Sequence, residues 1–177
     1  MAHDDLAAHA RALLEANVYL TLSTVDSDGH PWASPVYFAY DFSFDGLLDV
    51  YWTSTVDARH SRNVAVHPGV SFVVFDSRVL PYHGRAVYGS AVARELADDD
   101  LDRGLEIYPG PAWRGGSPLA REAVTGSSPY RLYGARASEV SVLCPREPRQ
   151  PCRLHGIAFD HRAVLGTRRD GVGEAGS

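Results

Sequence analysis

Residues 47–75 read LLDVYWTSTVDARHSRNVAVHPGVSFVVF, which predicts a strand, a short helix and a second strand. The first seven residues are rich in the aromatic and branched side chains that favour strands, and three hydroxyl residues follow them. Asp57 is a candidate N-cap for a helix that begins near Arg59. Pro68-Gly69 then ends this helix, and an apolar strand follows.

The predicted start of this helix is a candidate anion site. A helix N-terminus carries unpaired N–H groups and a partial positive charge, and it stabilises a nearby anion by roughly 0.3–1 kcal/mol. Arg59, His60 and Arg62 add cationic side chains there, next to the hydroxyls of Thr53 and Ser54. Guanidinium groups and hydroxyls are typical phosphate ligands. The pattern therefore predicts a phosphate site, and a solvated helix face is the alternative interpretation.

The segment before this stretch has the pattern of a helix followed by a hairpin. Residues 4–16 are amphipathic, and residues 18–25 alternate apolar and polar side chains at period two. The sequence Asp26-Ser27-Asp28-Gly29 is typical of a hairpin turn, because glycine accepts the positive φ that such a turn requires. Pro35 interrupts the returning strand, residues 31–41, which predicts an edge strand or a bulge.

The segment after residue 75 adds further strands. Residues 85–95 form a β pattern in which Gly89-Ser90 predicts a bend at a barrel corner, and residues 97–108 read as a short helix. A late strand is predicted over residues 130–143, and residues 152–165 are interpreted as one extended segment. Five or six short antiparallel strands with two or three helices predict a mainly β fold with helices (α+β), a β-barrel with helical decoration.

Length and composition limit the possible classes of protein. The chain has 177 residues, which predicts one domain over residues 1–165, followed by a tail at 166–177 that we expect to be disordered. The formal net charge is -5, and the 17 basic residues include no lysine and form no basic stripe, so we expect no nucleic-acid partner. The N-terminal residues have no long apolar core, so we expect no membrane association and a cytoplasmic location.

The cysteines and the late histidines do not predict a metal site. The spacing of Cys144 and Cys152 fits no zinc pattern, and we expect both thiols to stay reduced. His155 and His161 lie six residues apart, a spacing that suggests a metal pair, but no third ligand follows at a suitable spacing. We therefore predict no metal ligands in this chain.

Five motifs in order resemble the pyridoxamine 5'-phosphate oxidase-like family of split β-barrel flavoproteins. They are LSTVDSDGHP, ASPVYF, YWTS, ARHSRNVAVHPGVSFVVF and RAVYGSAVARE. The resemblance spans roughly residues 10–110. It implies an antiparallel split β-barrel and a homodimer that binds FMN in two clefts between the subunits.

The resemblance also implies which residues contact the cofactor. The flavin phosphate would be held by Trp52, Thr53, Ser54, Arg59 and His60. The backbone of Ser34, Pro35 and Val36 would run past the flavin ring, and Arg85 would supply another contact. His60 stands where many family members have lysine, so the charge at this position is conditional at neutral pH. The tryptophan- and arginine-containing substrate motif of true pyridoxamine phosphate oxidases has no clear counterpart near the C-terminus.

The function that follows from this resemblance is that of an FMN-binding oxidoreductase acting on a small molecule that the sequence does not identify. The flavin carries the electrons or hydride itself, so no catalytic acid or base is assigned. Three alternatives remain open: a reductase that uses the deazaflavin F420 on the same barrel, a non-catalytic flavin carrier, and a haem-binding protein.

Overall fold

The computed structural model describes residues 2–43 and 46–168. Within these residues there are three α-helices and eight strands, with two short 3-10 turns at Ala112–Arg114 and Arg121–Val124. The helices and strands, in chain order, are α1 (Ala2–Ala16), β1 (Tyr19–Val25), β2 (Pro31–Tyr37), β3 (Ala39–Phe42), β4 (Leu48–Thr55), α2 (Arg59–Val66), β5 (Gly69–Phe75), β6 (Ala86–Glu95), α3 (Asp98–Ile107), β7 (Tyr130–Leu143) and β8 (Arg162–Thr167).

The strands form one antiparallel sheet in the order β2-β1-β5-β6-β7-β4-β3, and β8 also pairs with β7. The sheet curls, and this architecture confirms the predicted split β-barrel with helices. β2 lies at one edge of the sheet, so the edge position predicted from Pro35 is confirmed. The hairpin between β1 and β2 turns at Gly29, whose φ is +86°.

The longest strand, β7, connects the two halves of the barrel. One side of β7 pairs with β6 along most of its length. The other side pairs first with β4, through residues 130–136, and then with β8, through residues 139–143. The β6–β7 register shifts by one residue after Ser90, and such a bulge bends and twists the strand that carries it. The bend predicted at Gly89-Ser90 corresponds to this bulge.

Two apolar clusters stabilise the sheet from its two faces. The larger cluster fills the curled inner face and packs against α1; its members include Leu14, Leu20, Val50, Trp52, Phe72, Val87 and Val140. The smaller cluster lies on the other face, between α3 and strands β4 and β7; its members are Ala39, Tyr51, Leu96, Leu101, Val124 and Leu132. Strand alternation explains this division, because successive residues of β4 face opposite clusters.

A buried arginine connects α1 to the sheet. Arg114 is 5% exposed, and its guanidinium donates to the carbonyls of Leu14 (2.9 Å) and Phe38 (2.7 Å). Leu14 lies in the last turn of α1, where carbonyl groups lack intrahelical partners and no basic residue of the helix is present. Arg114 therefore satisfies the negative end of a helix 100 residues earlier in the chain.

Several local expectations differ from the structure. Asp57 does not cap α2: the N-cap is Ala58, and no side chain caps this helix. Residues 152–165 are not one extended segment, because turns occupy the first part and a strand begins only at Arg162. Residues 31–41 divide into β2 and β3, which raises the number of strands above the five or six expected.

The C-terminal boundary also differs in part. The expected tail begins at Gly166, but Gly166 and Thr167 are the last residues of β8. Residues 169–177 lie outside the described residues. Among the residues that the structure does describe, no helix combines the length and the apolar character needed to span a membrane.

The bulged region of β6 generates a stability prediction. Gly89 lies opposite Phe72 of β5, and a Cβ at this position would lie 2.7 Å from Phe72 Cε2 and closer still to Cζ. Phe72 is 3% exposed and has no room to move, so we expect Gly89→Ala to lower the free energy of unfolding by about 1–3 kcal/mol in a urea titration. Gly69→Ala is the matched control, since nothing lies within 4 Å of its Cβ position. Equal stability of the two variants would contradict this packing.

Candidate functional site

The candidate site lies where the β1–β2 hairpin, the end of β4 and the start of α2 meet. Asp26 organises the hairpin turn: its Oδ1 accepts hydrogen bonds from the backbone N–H groups of Asp28 (3.1 Å) and His30 (2.9 Å). Its Oδ2 accepts a bond from Nη2 of Arg59 at 3.2 Å. The His30 N–H and the Arg59 guanidinium lower the pKa of Asp26, so this carboxyl group is charged at neutral pH.

Arg59 supplies the permanent positive charge of the site. Its guanidinium carbon lies 4.3 Å from the centre of the Trp32 ring, and the Asp26 bond fixes one amino group. The side chain is nevertheless 42% exposed, so other guanidinium N–H groups remain accessible to a ligand. Arg59 is also the first residue of α2, whose N-terminus has no side-chain cap. A cation and a helix start therefore coincide, as the sequence predicts, and the helix start is uncapped.

His60 has a different role from its neighbour. Its Nδ1 lies 3.1 Å from Ser34 Oγ of β2, and its Nε2 lies 2.7 Å from Ser54 Oγ of β4. The indole N–H of Trp32 also donates to Ser34 Oγ, at 2.9 Å. The imidazole thus bridges two strands that are distant in the sheet order. Burial lowers the pKa of His60, so the ring is neutral at pH 7 and does not reproduce the charge of a lysine.

A buried polar contact fixes α2 on the sheet. Asn63 Nδ2 donates to Thr24 Oγ1 at 2.9 Å, and both side chains are almost fully buried. Because a buried amide without a partner costs free energy, this bond restricts α2 to one position against β1. It therefore sets where Arg59 and His60 lie relative to the hairpin.

The other predicted contacts separate into distinct environments. Val36 and Trp52 are buried in the inner core, where Trp52 stacks on Tyr133 with ring centres 5.8 Å apart. Only the backbone of Trp52 is available to a ligand at the surface. Thr53 faces the other side of the sheet, where its Oγ1 lies 3.0 Å from the hydroxyl of Tyr108.

Pro35 and Arg85 are exposed, and neither contacts the His60 bridge. Pro35 lies on the edge strand, on the face opposite Ser34. Arg85 lines a different cleft, together with Asp5, His83 and Arg146. Within one protomer, the structure therefore brings together Ser34, Ser54, Arg59 and His60 of the predicted set.

Two residues of this site are absent from the set predicted from sequence. The sequence assigns Asp26 only to a turn, and it gives Trp32 no role. The DSDG turn places a carboxylate at the end of the hairpin, and Trp32 is separated from Ser34 by one residue, which puts both on the same face. Alternation along β2 is thus a signal for Trp32, whereas the Asp26–Arg59 ion pair joins residues 33 positions apart and has no local signal.

Comparisons with known proteins agree with this fold. The family model for pyridoxamine 5'-phosphate oxidase matches residues 6–144. A solved haem-binding protein from Mycobacterium smegmatis is similar, with a TM-score of 0.62 and 19% identity over 93% of this chain. This chain covers only 58% of the length of that protein. No curated protein sequence matches this chain.

Two further solved structures share the architecture. HutZ, the haem storage protein from Vibrio cholerae, has a TM-score of 0.52 and 19% identity, covering 75% of this chain and 89% of its own. A putative pyridoxamine 5'-phosphate oxidase from Listeria innocua has a TM-score of 0.53 and 17% identity, covering 77% and 97%. At such identities these structural likenesses show the fold and nothing more.

The His60 bridge predicts a pH dependence of stability. An unfolded histidine has a pKa of about 6.5, whereas burial holds the folded His60 pKa lower. Below about pH 6.5 the unfolded chain binds a proton that the folded chain resists, so stability falls as the pH decreases toward the lowered pKa. We expect wild type to lose more unfolding free energy than His60→Asn between about pH 7.5 and 5.5.

The comparison between the two proteins isolates His60 from other titrating groups. Burial also lowers the pKa of His9, but His9 is present in both proteins and its effect cancels in the difference. Parallel losses of stability in wild type and His60→Asn would contradict a neutral, buried His60.

Proposed function

Because the chain belongs to the pyridoxamine 5'-phosphate oxidase family, we propose that it binds FMN and functions as an oxidoreductase. One observation carries the proposal: Arg59 is held at the uncapped start of α2, next to a serine from each of two strands. Phosphate groups bind well at such positions, where helix N–H groups, hydroxyls and a guanidinium converge.

The donor set fits a phosphate group. Arg59 would hold it through charge-assisted hydrogen bonds, and the Ser54 hydroxyl and the first N–H groups of α2 would complete the shell. Asp26 competes for Arg59, but it engages a single amino group and leaves the side chain 42% exposed. The Asp26 contact and the Trp32 ring therefore position the guanidinium rather than block it.

The neighbouring edge strand fits the flavin ring. In the described chain β2 pairs only with β1, so one side of its backbone has no strand partner. The backbone groups of Ser34, Pro35 and Val36 on that side are free to meet a planar ligand. Their position beside the phosphate donors supports the contact that the family resemblance implies.

Bound FMN supplies hydride or electron transfer through its own ring system. The contribution of the chain is binding, orientation and local electrostatics. The neutral His60 fixes the distance between β2 and β4, and Arg59 provides the charge. We also propose that a second copy of the chain completes each cofactor cleft, which sedimentation of the purified protein tests directly.

A second candidate ligand is haem, because two of the structurally similar proteins are haem-binding and haem storage proteins. The visible absorption spectrum of the protein as isolated separates the candidates. A flavin band supports the proposal, and a sharp Soret band contradicts it. Reduction of the bound flavin by NAD(P)H with repeated turnover distinguishes an enzyme from a flavin carrier.

The phosphate contact generates a binding prediction. A charge-assisted hydrogen bond contributes roughly 1.5–3 kcal/mol, so we expect Arg59→Ala to raise the dissociation constant of FMN by about tenfold or more. Quenching of flavin fluorescence on titration with protein measures this constant. Arg62→Ala is the matched control, because Arg62 lies on the same helix and bonds to the carbonyl of Asp57.

Arg62→Ala removes the same formal charge from α2, so it accounts for any long-range effect of net charge. If both variants bind FMN as tightly as wild type, Arg59 does not hold the phosphate.

A further inference from the structure

The segment between β7 and β8 brings four metal-ligand side chains together. Cys144 follows the last residue of β7, and His161 precedes the first residue of β8. Cys152 and His155 come from the turns between these strands. The ligand atoms of all four lie within 4.8 Å of one another. The expectation that no third ligand accompanies the two histidines is therefore wrong, because folding adds both cysteines.

Backbone hydrogen bonds produce this convergence. The N–H of Cys144 donates to the carbonyl of His161 at 3.0 Å, which continues the β7–β8 pairing by one step. The N–H of Cys152 donates to the carbonyl of Ile157 at 2.9 Å, and this closes a tight turn that contains His155. The antiparallel ladder thus places the first and last members side by side, and the turn presents the other two.

The distances among the ligand atoms match a tetrahedral metal centre. With Zn–S near 2.3 Å and Zn–N near 2.0–2.1 Å, tetrahedral geometry requires about 3.6 Å between sulfur and nitrogen and about 3.3 Å between two nitrogens. Nδ1 of His155 lies 3.4 Å from Cys144 Sγ and 3.6 Å from Cys152 Sγ. Nε2 of His161 lies 3.4 Å from Cys152 Sγ and 3.2 Å from His155 Nδ1.

Neighbouring groups orient these ligands. Nδ1–H of His161 donates to the carbonyl of Phe159 at 2.9 Å, which leaves Nε2 with its lone pair directed at the cluster. The backbone N–H of His155 donates to Cys152 Sγ at 3.2 Å, a bond that stabilises a thiolate. Both sulfurs are free thiols and almost fully buried, so the site is closed to solvent on the side of the core.

We propose that Cys144, Cys152, His155 and His161 bind one Zn²⁺ ion in a Cys₂His₂ site. Two thiolates and two imidazoles in tetrahedral positions are the typical ligands of structural zinc. Four protein ligands leave no open position for a substrate, so the ion has a structural role. It ties the turns of residues 144–161 to the ends of β7 and β8 and holds Leu154 and Ile157 against the inner core.

Metal analysis of the full-length purified protein tests this proposal. We expect about one zinc ion per chain after exchange into metal-free buffer. We expect His155→Ala to weaken zinc binding by about tenfold or more in competition with a chromophoric chelator, since loss of even an outer-shell partner costs 10–100-fold. His155 is exposed, so this variant retains the apolar core. His67→Ala is the control, because His67 is an exposed histidine outside the cluster.

Cobalt(II) gives a second readout that does not depend on the purification history. Tetrahedral Co²⁺ with two thiolates gives strong visible bands and thiolate-to-metal charge transfer, which Cys152→Ser would reduce. Weak octahedral bands, a zinc affinity that is equal in wild type and His155→Ala, or a chain mass lower by two hydrogens from a Cys144–Cys152 disulfide would each overturn the proposal. Because neither assay requires flavin, the result is independent of FMN binding.

Discussion

The pairing of β7 with three other strands is the constraint on which the rest of the structure depends. One side of this 14-residue strand follows β6, and the other side is shared between β4 and β8. The register with β4 fixes where Ser54 lies, because Ser54 pairs with Arg131 and Thr55 with Tyr130. The register with β8 fixes the distance between the chain entering at Cys144 and the chain leaving at His161. Both candidate sites therefore depend on one strand, from its opposite ends.

The division of roles between Arg59 and His60 explains how this chain departs from a lysine-containing pattern. A lysine at position 60 would carry a full charge into a half-buried position between two hydroxyls. Histidine instead forms neutral hydrogen bonds to Ser34 and Ser54 and loses its charge through burial. The permanent charge moves one residue along α2, to a guanidinium that Asp26 and Trp32 hold in a partly exposed position. The site retains one cation, and its orientation depends on the hairpin rather than on the helix alone.

The Cys₂His₂ cluster addresses a different problem. Residues 144–161 contain no helix or strand in the described chain, yet their apolar side chains cover one end of the barrel. A segment of this length gains few backbone hydrogen bonds to offset the entropy of ordering it. A bound ion would supply four strong contacts at once, and it would do so where β8 begins. The proposed metal site thus belongs to the stability of the barrel, and the proposed flavin site belongs to its function.

The sequence by itself determined the local elements and the residues at the start of α2 that make it a candidate anion site. Period-two alternation, the Asp26–Gly29 turn and the helix start at Arg59 each depend on neighbouring residues, so each could be predicted from a short window. The tertiary structure alone decided the charge of His60, the pairing of Arg59 with Asp26, and the approach of Arg114 to the end of α1. It also decided the meeting of Cys144 with His161. These contacts join residues between 17 and 100 positions apart, and the strand register that brings them together results from packing over the whole sheet.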